Sequence, residues 1–557
     1  MTTPPDLIIV NGALITFDAS TQGATAIAIG SGKICALGTD AEMRALAGPE
    51  TRLIDADKAT VMPGFIDSHV HLFCGSVELG YLDLHGVQGH AALQDAVTPY
   101  SAATPDDAIL FAVQADYAVL HTDKTPTRHD LDTICPDRPF AMFAPDHHTV
   151  WANTAALQLA GIERGGETAA GCEIVMGDDG MATGELREPG AYAAVLALTR
   201  HGGRDLAGLI SGKDPVPTPS QSDRAKDKAA LARGMHHCAA QGITGVQCMD
   251  GNFYQLELLS EMEAEGTLLC RVSVPFHLRP EDPLDRLSEA AVMTATYTGD
   301  MVYSGTVKMF VDGVIEGRTA LMLQPYPDTT DTYGDPVFSA EHFNEACTRI
   351  DEMGLQIAVH AIGDGGVRRT LDAYETAQTA NGKRDSRHRI EHLETMHPDD
   401  VPRLAELGAV ASIQPGHAPF GGIFPPTGVG KYLHPHQIPT AYPWTQLRDS
   451  GAPMIFSTDW PVIGVDVMTN IKAAIAPLDL GPDWVDQTQS LMQTLASYTR
   501  DNAWVESREH QKGRLAPGML ADIVVLSHDI TTLDPARITD ASARLTICDG
   551  HITFAST

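Results

Sequence analysis

Eight short apolar segments, alternating with stretches of helical character, constrain the fold of this chain most strongly. Helical patterns lie between these segments, for example over residues 340–352, 366–379 and 399–407. Eight βα units are typical of a (β/α)₈ TIM-type barrel, an α/β fold in which catalytic side chains stand at the carboxyl ends of the strands. Polar residues at those ends are therefore the first functional candidates. The predicted strands are 60–66, 243–249, 271–277, 305–311, 355–360, 388–392, 409–414 and 453–457.

Both ends of the chain carry short strand and turn patterns. At the N-terminal end, strands at 7–10 and 13–16 flank a turn at Asn11-Gly12, and a second hairpin is predicted at 26–29 and 33–37. The C-terminal end has strands at 521–526, 544–547 and 551–554. Neither end is a plausible domain alone, so together they predict one small β-sandwich.

These patterns divide the chain into three parts. We predict the β-sandwich from residues 1–60 and 510–557, and a metal-dependent barrel over 61–509. Residues 75–240 form a long insertion after the first barrel strand, for which we predict a lid or substrate-binding subdomain.

Charge and cysteine content narrow the classes of partner and compartment. The formal net charge of −34 argues against nucleic acid, whose phosphates require a basic surface. The nine cysteines are scattered without a Cys-x-x-Cys pair, and no segment reaches the ~18 apolar residues of a membrane span. We therefore expect a cytoplasmic protein with no membrane or nucleic-acid partner, a homodimer that acts on a small-molecule substrate.

The first predicted barrel strand leads into a pair of histidines. Asp67, His69 and His71 alternate with other residues, so in an extended chain they point to one face. Two imidazoles at this spacing are able to hold one metal ion. Further ligands must come from other strand ends.

Strand four contains a lysine among apolar neighbours, Lys308, which shares a face with Phe310 and Asp312. Burial lowers the pKa of a lysine because it disfavours the cation. A neutral amine takes up carbon dioxide to become a carbamate, whose two oxygens are able to bridge two metals. The alternative is a structural lysine that pairs with Asp312 or caps the barrel.

Three more strands terminate in metal-binding residue types: His360, His392 and Asp459. With His69, His71 and Lys308 they form a nitrogen- and oxygen-rich set, which suits zinc, with manganese or iron as alternatives. Agreement at so many strand ends is not expected by chance.

Seven motifs extend nearly from one end of the chain to the other: PGFIDSHVH at 63–71, HHTVWAN at 147–153, VKMFVDGVIEGRTA at 307–320, VHAIGD at 359–364, RIEHLE at 389–394, STDWPV at 457–462 and GRLAPGMLADIVVL at 513–526. In these motifs the chain resembles the amidohydrolase superfamily, and more closely its YtcJ-like (amidohydrolase type 3) branch. The resemblance implies a barrel with a β-sandwich and two zinc ions bridged by carboxylated Lys308, with His69, His71, His360 and His392 as ligands and Asp459 beside them.

The chemistry that follows is hydrolysis of a non-peptide carbon–nitrogen bond in an amide-like substrate. Two divalent ions lower the pKa of a shared water, which attacks a carbonyl, while Asp459 serves as general base and then acid. The resemblance places His148, in preference to His147, near the substrate, and Arg318 is predicted to line the same pocket. Four further residues are predicted to orient the ligands: Asp67, Asp312, Asp364 and Glu391.

The loop after strand seven, residues 416–442, is rich in glycine, proline and aromatic residues such as Phe424. An apolar lid is the prediction for this loop. Its histidines, among them His417, are interpreted as structural.

Three other functions remain open. A deaminase of a cyclic amidine or nucleobase-like ring on this scaffold usually carries a glutamate three residues after the strand-five histidine, where this chain has Gly363. A metal-dependent lyase or isomerase would use the same ligands. A metal-free binding or regulatory protein is disfavoured, because all six ligand positions are filled.

Overall fold

The structure is a computed structural model that describes residues 4–21, 23–121, 124–145, 147–168, 172–423 and 429–556. Phe424 of the predicted lid lies outside these residues. The chain divides into two compact units. The first comprises the residues up to Val70, Met235–Asn252 and the chain from Leu259 onward, and the second comprises His71–Gly234 and Phe253–Leu258.

Parallel strands form two sheets of the first unit. All pairings within them are parallel, and helices such as Ala340–Glu352 and Asp364–Asn381 separate successive strands in sequence. In spatial order, one sheet contains Val302–Tyr303, Arg271–Ser273, Ile243–Cys248 and Phe65–Val70, and the other contains Phe276–His277, Thr306–Phe310, Gln356–Ala361, Arg389–His392, Val410–Ile413 and Met454–Phe456.

Two further sheets of the first unit combine the ends of the chain. Their apolar side chains form one buried cluster that contains Ile9 and Ile27 of one sheet and Val61 and Ile523 of the other. In spatial order, one sheet contains Lys33–Gly38, Ala26–Gly30, Leu7–Val10 and Arg52–Asp55, and the other contains Ala13–Leu14, Thr60–Pro63, Ile523–Leu526, Ala543–Cys548 and His551–Ala555.

The second unit contains a sheet of its own, with buried clusters around residues such as Phe143 and Trp151. In spatial order its strands are Glu173–Met176, Ala182–Arg187, Thr149–Ala152, Phe140–Phe143, Leu110–Val113 and Leu82–Asp83.

Several α-helices of the described chain begin at a capping side chain, as Ser339 does for the helix Ala340–Glu352. Within the described residues, no helix is both long and apolar enough to cross a membrane. The α-helices are Asp40–Arg44, Leu72–Glu78, His90–Ala103, Arg128–Ile134, Thr154–Leu159, Pro189–Leu196, Gln221–Ala240, Phe253–Ala264, Leu287–Thr296, Ala340–Glu352, Asp364–Asn381, Val401–Leu407, Trp444–Asp449, Val467–Ile475, Leu491–Ser497 and Arg500–Val505.

Two predicted barrel strands have wrong boundaries. The segment 60–66 is two strands in different sheets, because the chain passes from one sheet to the other at Gly64, where a Cβ would lie 2.2 Å from the Thr244 side chain. The segment 271–277 is also two strands. Pro275 interrupts its ladder, since proline has no N–H to donate.

The first N-terminal hairpin is also wrong. Leu7–Val10 pairs with Ala26–Gly30 and Arg52–Asp55, whereas Ala13–Leu14 pairs with Thr60–Pro63 of the other sheet. The backbone bends at Asn11, which has a φ of +57° and donates its side-chain amide to Asp55. The chain therefore leaves one sheet for the other instead of folding back. The hairpins around 31–32 and 549–550 are present as predicted.

Candidate metal centre

Five of the predicted ligands lie at strand ends of the first unit. His69, Lys308, His360 and His392 belong to parallel strands, and Asp459 follows the strand Met454–Phe456. The structure brings ligand atoms of His69, His392 and Asp459 within 4.8 Å of one another. These residues are buried, so their side chains face one another away from solvent.

Hydrogen bonds orient two of the imidazoles. His69 donates Nδ1–H to Glu391 Oε2 at 2.7 Å, and His392 donates Nδ1–H to Gln414 Oε1 at 2.8 Å, since both partners are oxygen acceptors. Each ring is left with an unprotonated Nε2. The Nε2 atom of His69 lies 3.3 Å from Asp459 Oδ1.

His360 joins this group through ring contacts. Its ring centroid lies 4.5 Å from that of His392 and 4.9 Å from that of Phe310. Its Nε2–H donates to the Gly313 carbonyl at 3.1 Å, which leaves Nδ1 as the unprotonated nitrogen of this ring.

The imidazoles are held in the neutral form. Burial lowers the pKa of His69 to about 4 and that of His360 to about 3, and it places the pKa of His392 well below its ordinary value. Metal binding requires a neutral imidazole. At neutral pH these rings need not lose a proton before they bind a metal.

Lys308 is completely buried, and within the described chain its Nζ has no hydrogen-bond partner. The nitrogen lies 4.4 Å from the centroid of the Phe310 ring, and burial lowers its pKa to about 8. The pairing with Asp312 that we considered is absent from the ion pairs of the described residues. The Asp312 carboxylate instead accepts hydrogen bonds from the backbone N–H groups of Leu321, Ile362 and Gly363.

Backbone contacts hold Asp459 in its position. Its N–H donates to the His69 carbonyl at 2.9 Å, its φ is +64°, and the next residue, Trp460, forms a parallel bridge with Val70. A left-handed backbone at a residue other than glycine costs about 1–3 kcal/mol and needs support from its surroundings. The bridge and the hydrogen bond supply that support.

Of the four residues predicted to orient ligands, one contacts an imidazole through a hydrogen bond and the others mainly hold backbone segments. Glu391 is the one that contacts an imidazole, because it accepts the hydrogen bond from His69 Nδ1. Asp67 instead accepts from the hydroxyl and N–H of Thr458, at 2.6 and 3.0 Å, and so holds the loop that carries Asp459. Asp312 braces backbone amides, although it also lies 3.8 Å from His360 Nε2.

Asp364, the fourth, accepts from Leu323 N–H and Gln437 Nε2. Burial raises the pKa of Asp67 and that of Asp312 to about 7, whereas the neighbouring Arg389 and His69 outweigh burial and lower the pKa of Glu391. Glu391 therefore remains a carboxylate.

Two of the remaining predicted residues belong to the second unit and one belongs to the first. His71 is the first residue of the second unit, where it is the N-cap of the helix Leu72–Glu78. His148, also in the second unit, is about half exposed, with Nδ1 3.0 Å from Glu188 Oε1. Arg318, in the first unit, is partly exposed. It pairs with Asp328 and lies 5.1 Å from the Tyr432 ring, and these two contacts involve none of the predicted ligands.

His417, which the sequence pattern favours as a structural residue, lies against two of the predicted ligands, His392 and Asp459. Its ring stacks on that of His392 at 5.8 Å with an interplanar angle of 8°. Its Nε2 lies 3.6 Å from Asp459 Oδ2, and its Nδ1 lies 3.7 Å from Glu394 Oε1. The sequence signal for this position is that His417 comes four residues after the strand Val410–Ile413, near a strand end as the predicted ligands do.

The donor set fits a divalent metal. Three neutral imidazoles, a carboxylate and a buried amine without a hydrogen bond converge in one region, and nitrogen and oxygen donors of this kind suit zinc. A buried amine without a partner is costly unless it becomes part of a coordinated group.

The sequence profile of the amidohydrolase family matches residues 52–554. The chain belongs to the amidohydrolase family. Among its relatives, the putative amidohydrolase YtcJ of Bacillus subtilis is 28% identical over 91% of this chain and 91% of its own length. The N-substituted formamide deformylase of Arthrobacter pascens is 24% identical over the full length of both chains, that is 100% of each.

A solved structure agrees with this assignment. An uncharacterized metal-dependent hydrolase from Pyrococcus furiosus superposes with a TM-score of 0.70 at 26% identity, over 95% of this chain and 99% of the other. This member of the amidohydrolase family has a TIM-barrel-type α/β fold and is a metal-dependent hydrolase of carbon–nitrogen bonds. The family and enzyme class predicted from the sequence are confirmed.

Proposed function

We propose that this amidohydrolase cleaves a small non-peptide amide at the centre that contains His69, Lys308, His360, His392 and Asp459. The observation that carries the proposal is the convergence of His69, His392 and Asp459 ligand atoms at the ends of buried strands. His71 stays a predicted ligand on the sequence pattern. We further propose two zinc ions with carboxylated Lys308 between them, which the low pKa and the unpartnered amine of Lys308 support.

The chemistry divides between metal and protein. Bound divalent ions would supply Lewis acidity, which polarises a carbonyl and lowers the pKa of water. Asp459 takes the proton of the attacking water and returns it to the leaving nitrogen, because a carboxylate within reach of the reacting atoms is able to act as base and then acid. Glu391 keeps His69 in the tautomer that presents Nε2.

The proposed substrate class is suggested by a relative. The relative from Arthrobacter pascens is named for N-substituted formamides. We propose N-substituted formamides or other small acyl amides for this chain, with His148 and Arg318 as substrate-binding residues. Asp67, Asp312 and Asp364 act by holding the loops around the centre.

The domain layout predicted from the sequence is part of the proposal. We propose a β-sandwich from 1–60 and 510–557, a barrel over 61–509 and a lid function for the insertion 75–240. The apolar cluster shared by the two terminal sheets supports the sandwich. A cytoplasmic location and the lack of a nucleic-acid partner also remain proposals, supported by the cysteines without disulfides and by the net charge of −34. The homodimer remains a proposal on the family resemblance.

A deaminase remains the second candidate, and one contact argues against it. A side chain at Gly363 would place its Cβ 2.1 Å from the Leu321 carbonyl oxygen, so the chain has no room there for the glutamate of related deaminases. A lyase or isomerase on the same ligands is tested by product identification.

The decisive experiment combines a substrate screen with a variant of Asp459. Formamides, acyl amides, carbamates and lactams are offered to the metal-loaded enzyme, and the amine and acid products are identified. Asp459→Asn is expected to lower kcat by about 10²–10⁴-fold, the usual contribution of a general base.

The matched control is Asp466→Asn in the same loop, because Asp466 caps the helix Val467–Ile475 and asparagine caps helices equally well. A turnover of Asp459→Asn close to that of the control would remove the proposed role. Hydrolysis that persists after complete removal of metal would overturn the reaction itself.

A further inference from the structure

The second unit contains a cluster of metal-binding side chains that the proposed centre does not use: Cys74, Glu78 and His147. Within the described residues, two groups of histidine, cysteine or carboxylate side chains bring three ligand atoms within 4.8 Å of one another, and this is the one that contains sulfur. Its members come from two elements that the fold of this unit brings together.

Helix geometry places two of the three residues. Cys74 and Glu78 are four residues apart on the helix Leu72–Glu78, so their side chains lie on one face. His147 comes from the turn between the strands Phe140–Phe143 and Thr149–Ala152. A thiol, a carboxylate and an imidazole are the three side-chain types that most often bind zinc.

The distances between the ligand atoms resemble those around a tetrahedral metal. Cys74 Sγ lies 3.5 Å from Glu78 Oε1 and 3.7 Å from His147 Nε2. Metal bonds of about 2.3 Å to sulfur and about 2.0–2.1 Å to nitrogen or oxygen, at tetrahedral angles, give edges of about 3.5 Å. His147 Nε2 and Glu78 Oε1 are in direct contact, and these two atoms must separate to admit an ion.

Neighbouring residues already hold the ligands in place. Gln114 Nε2 lies 3.4 Å from the second oxygen of Glu78, and the Tyr192 hydroxyl donates to the His147 carbonyl at 2.7 Å. The Phe143 ring meets the His147 ring edge to face at 5.0 Å. Such contacts around metal ligands raise affinity because they orient the ligands before binding.

His147 also has a strained backbone, with a φ of +62°. A residue other than glycine in this conformation costs about 1–3 kcal/mol, and such residues cluster at binding sites. Cys74 is fully buried, whereas Glu78 and His147 each keep about a tenth of the side chain exposed, which leaves a way in for an ion.

We propose that Cys74, Glu78 and His147 form a second metal site, specific for zinc or a similar thiophilic divalent ion. Three protein ligands leave the fourth tetrahedral position for water. The site is separate in chemistry from the proposed catalytic centre, whose ligands carry nitrogen and oxygen only. Cys74 binds as the thiolate, so metal uptake releases the thiol proton to solvent.

The sulfur ligand allows a test that the catalytic centre does not obscure. The full-length protein is stripped of metal and titrated with Co²⁺, and its near-ultraviolet spectrum is recorded. The wild-type protein is expected to show a thiolate-to-cobalt charge-transfer band. Cys74→Ser and His147→Gln are expected to lose that band and one metal equivalent per chain, with the circular dichroism unchanged.

Cys172→Ser is the matched control, because Cys172 is a thiol of the same unit outside the cluster and is expected to retain the full band. A wild-type spectrum without a thiolate band would overturn the proposal. So would a band of equal strength in folded Cys74→Ser, since the sulfur would then come from another cysteine. If Cys74→Ser does not fold, the same comparison is made with His147→Gln.

Discussion

Glu391→Gln is the sharpest test of how the centre is held together. The substitution keeps the shape of the side chain and removes its charge. Glu391 is fully buried, and its two oxygens accept from His69 Nδ1 at 2.7 Å and from Arg389 Nε at 2.6 Å. A glutamine has one acceptor oxygen in place of two. One of the two donors must therefore face an N–H₂ group.

Two costs follow from that geometry. A buried donor without a partner destabilises the fold by about 1–3 kcal/mol, more for a charged group such as Arg389. Loss of the carboxylate behind a ligand imidazole lowers metal affinity by about 10–100-fold. At about 1.4 kcal/mol for each factor of ten, that is about 1.4–2.8 kcal/mol of binding free energy.

The assay separates these costs. Zinc affinity is measured by competition with a chromophoric chelator, and the free energy of unfolding of the metal-free protein is measured in urea. Asp364→Asn is the matched control, because Asp364 accepts from Leu323 N–H and Gln437, and no hydrogen bond or ion pair joins it to an imidazole among the described residues. We expect its zinc affinity to stay within about threefold of wild type, since the orienting effect acts only through direct partners of a ligand.

Equal affinity in Glu391→Gln and wild type would refute the orienting role of Glu391. An equal loss in both variants would mean that any buried carboxylate near the centre has the same effect, and that the hydrogen bond to His69 is not the cause.

Three more predictions test other features of the molecule. Lys308→Ala is expected to lose metal by elemental analysis, with Lys472→Ala unchanged; full occupancy would make Lys308 structural. Asp522→Ala leaves the buried Arg271 with Asp549 still beside it but without the two hydrogen bonds to Asp522, and it is expected to cost about 1–3 kcal/mol of unfolding free energy in calorimetry. The double variant Arg271→Met with Asp522→Leu is expected to cost less, and equal costs would contradict the pairing. Despite burial, which raises it, the pKa of Asp351 is lowered by His388, Asn381 and Arg384. Asp351 thus stabilises the fold above its unfolded pKa of about 3.9, and this is lost as pH falls through the folded pKa. In Asp351→Asn, the free energy of unfolding in urea is expected to fall less steeply between pH 6 and pH 3 than in the wild type. An equal dependence on pH in the two proteins would contradict this role of Asp351.

Local patterns were enough to find most of the strands and to indicate the residues proposed as ligands. Parallel strands buried on both faces read as continuous apolar runs, and polar residues at or just beyond their ends, such as His392 and Asp459, stand out. The errors fell where the chain changes sheets. At Gly64 and Asn11 the direction of the backbone depends on contacts with Thr244 and Asp55, which are distant in the sequence.

The sequence by itself determined the family and the class of reaction, and it indicated the proposed ligands, because all of these depend on residue type at strand ends. The tertiary structure decided which carboxylate forms a hydrogen bond with a predicted ligand. Glu391, Asp67 and Asp364 look alike in the sequence, yet one contacts an imidazole and the others hold loops.

The tertiary structure alone shows that His417 lies against Asp459 and that His147 lies against Cys74 and Glu78. Helical spacing alone predicts that Cys74 and Glu78 share a face. The third partner of that cluster comes from a turn 69 residues beyond Glu78, and the direction of a turn side chain is set by packing. The periodicity of a helix or strand determines which side chains of that element share a face. Contacts between side chains of different elements form only when the chain folds.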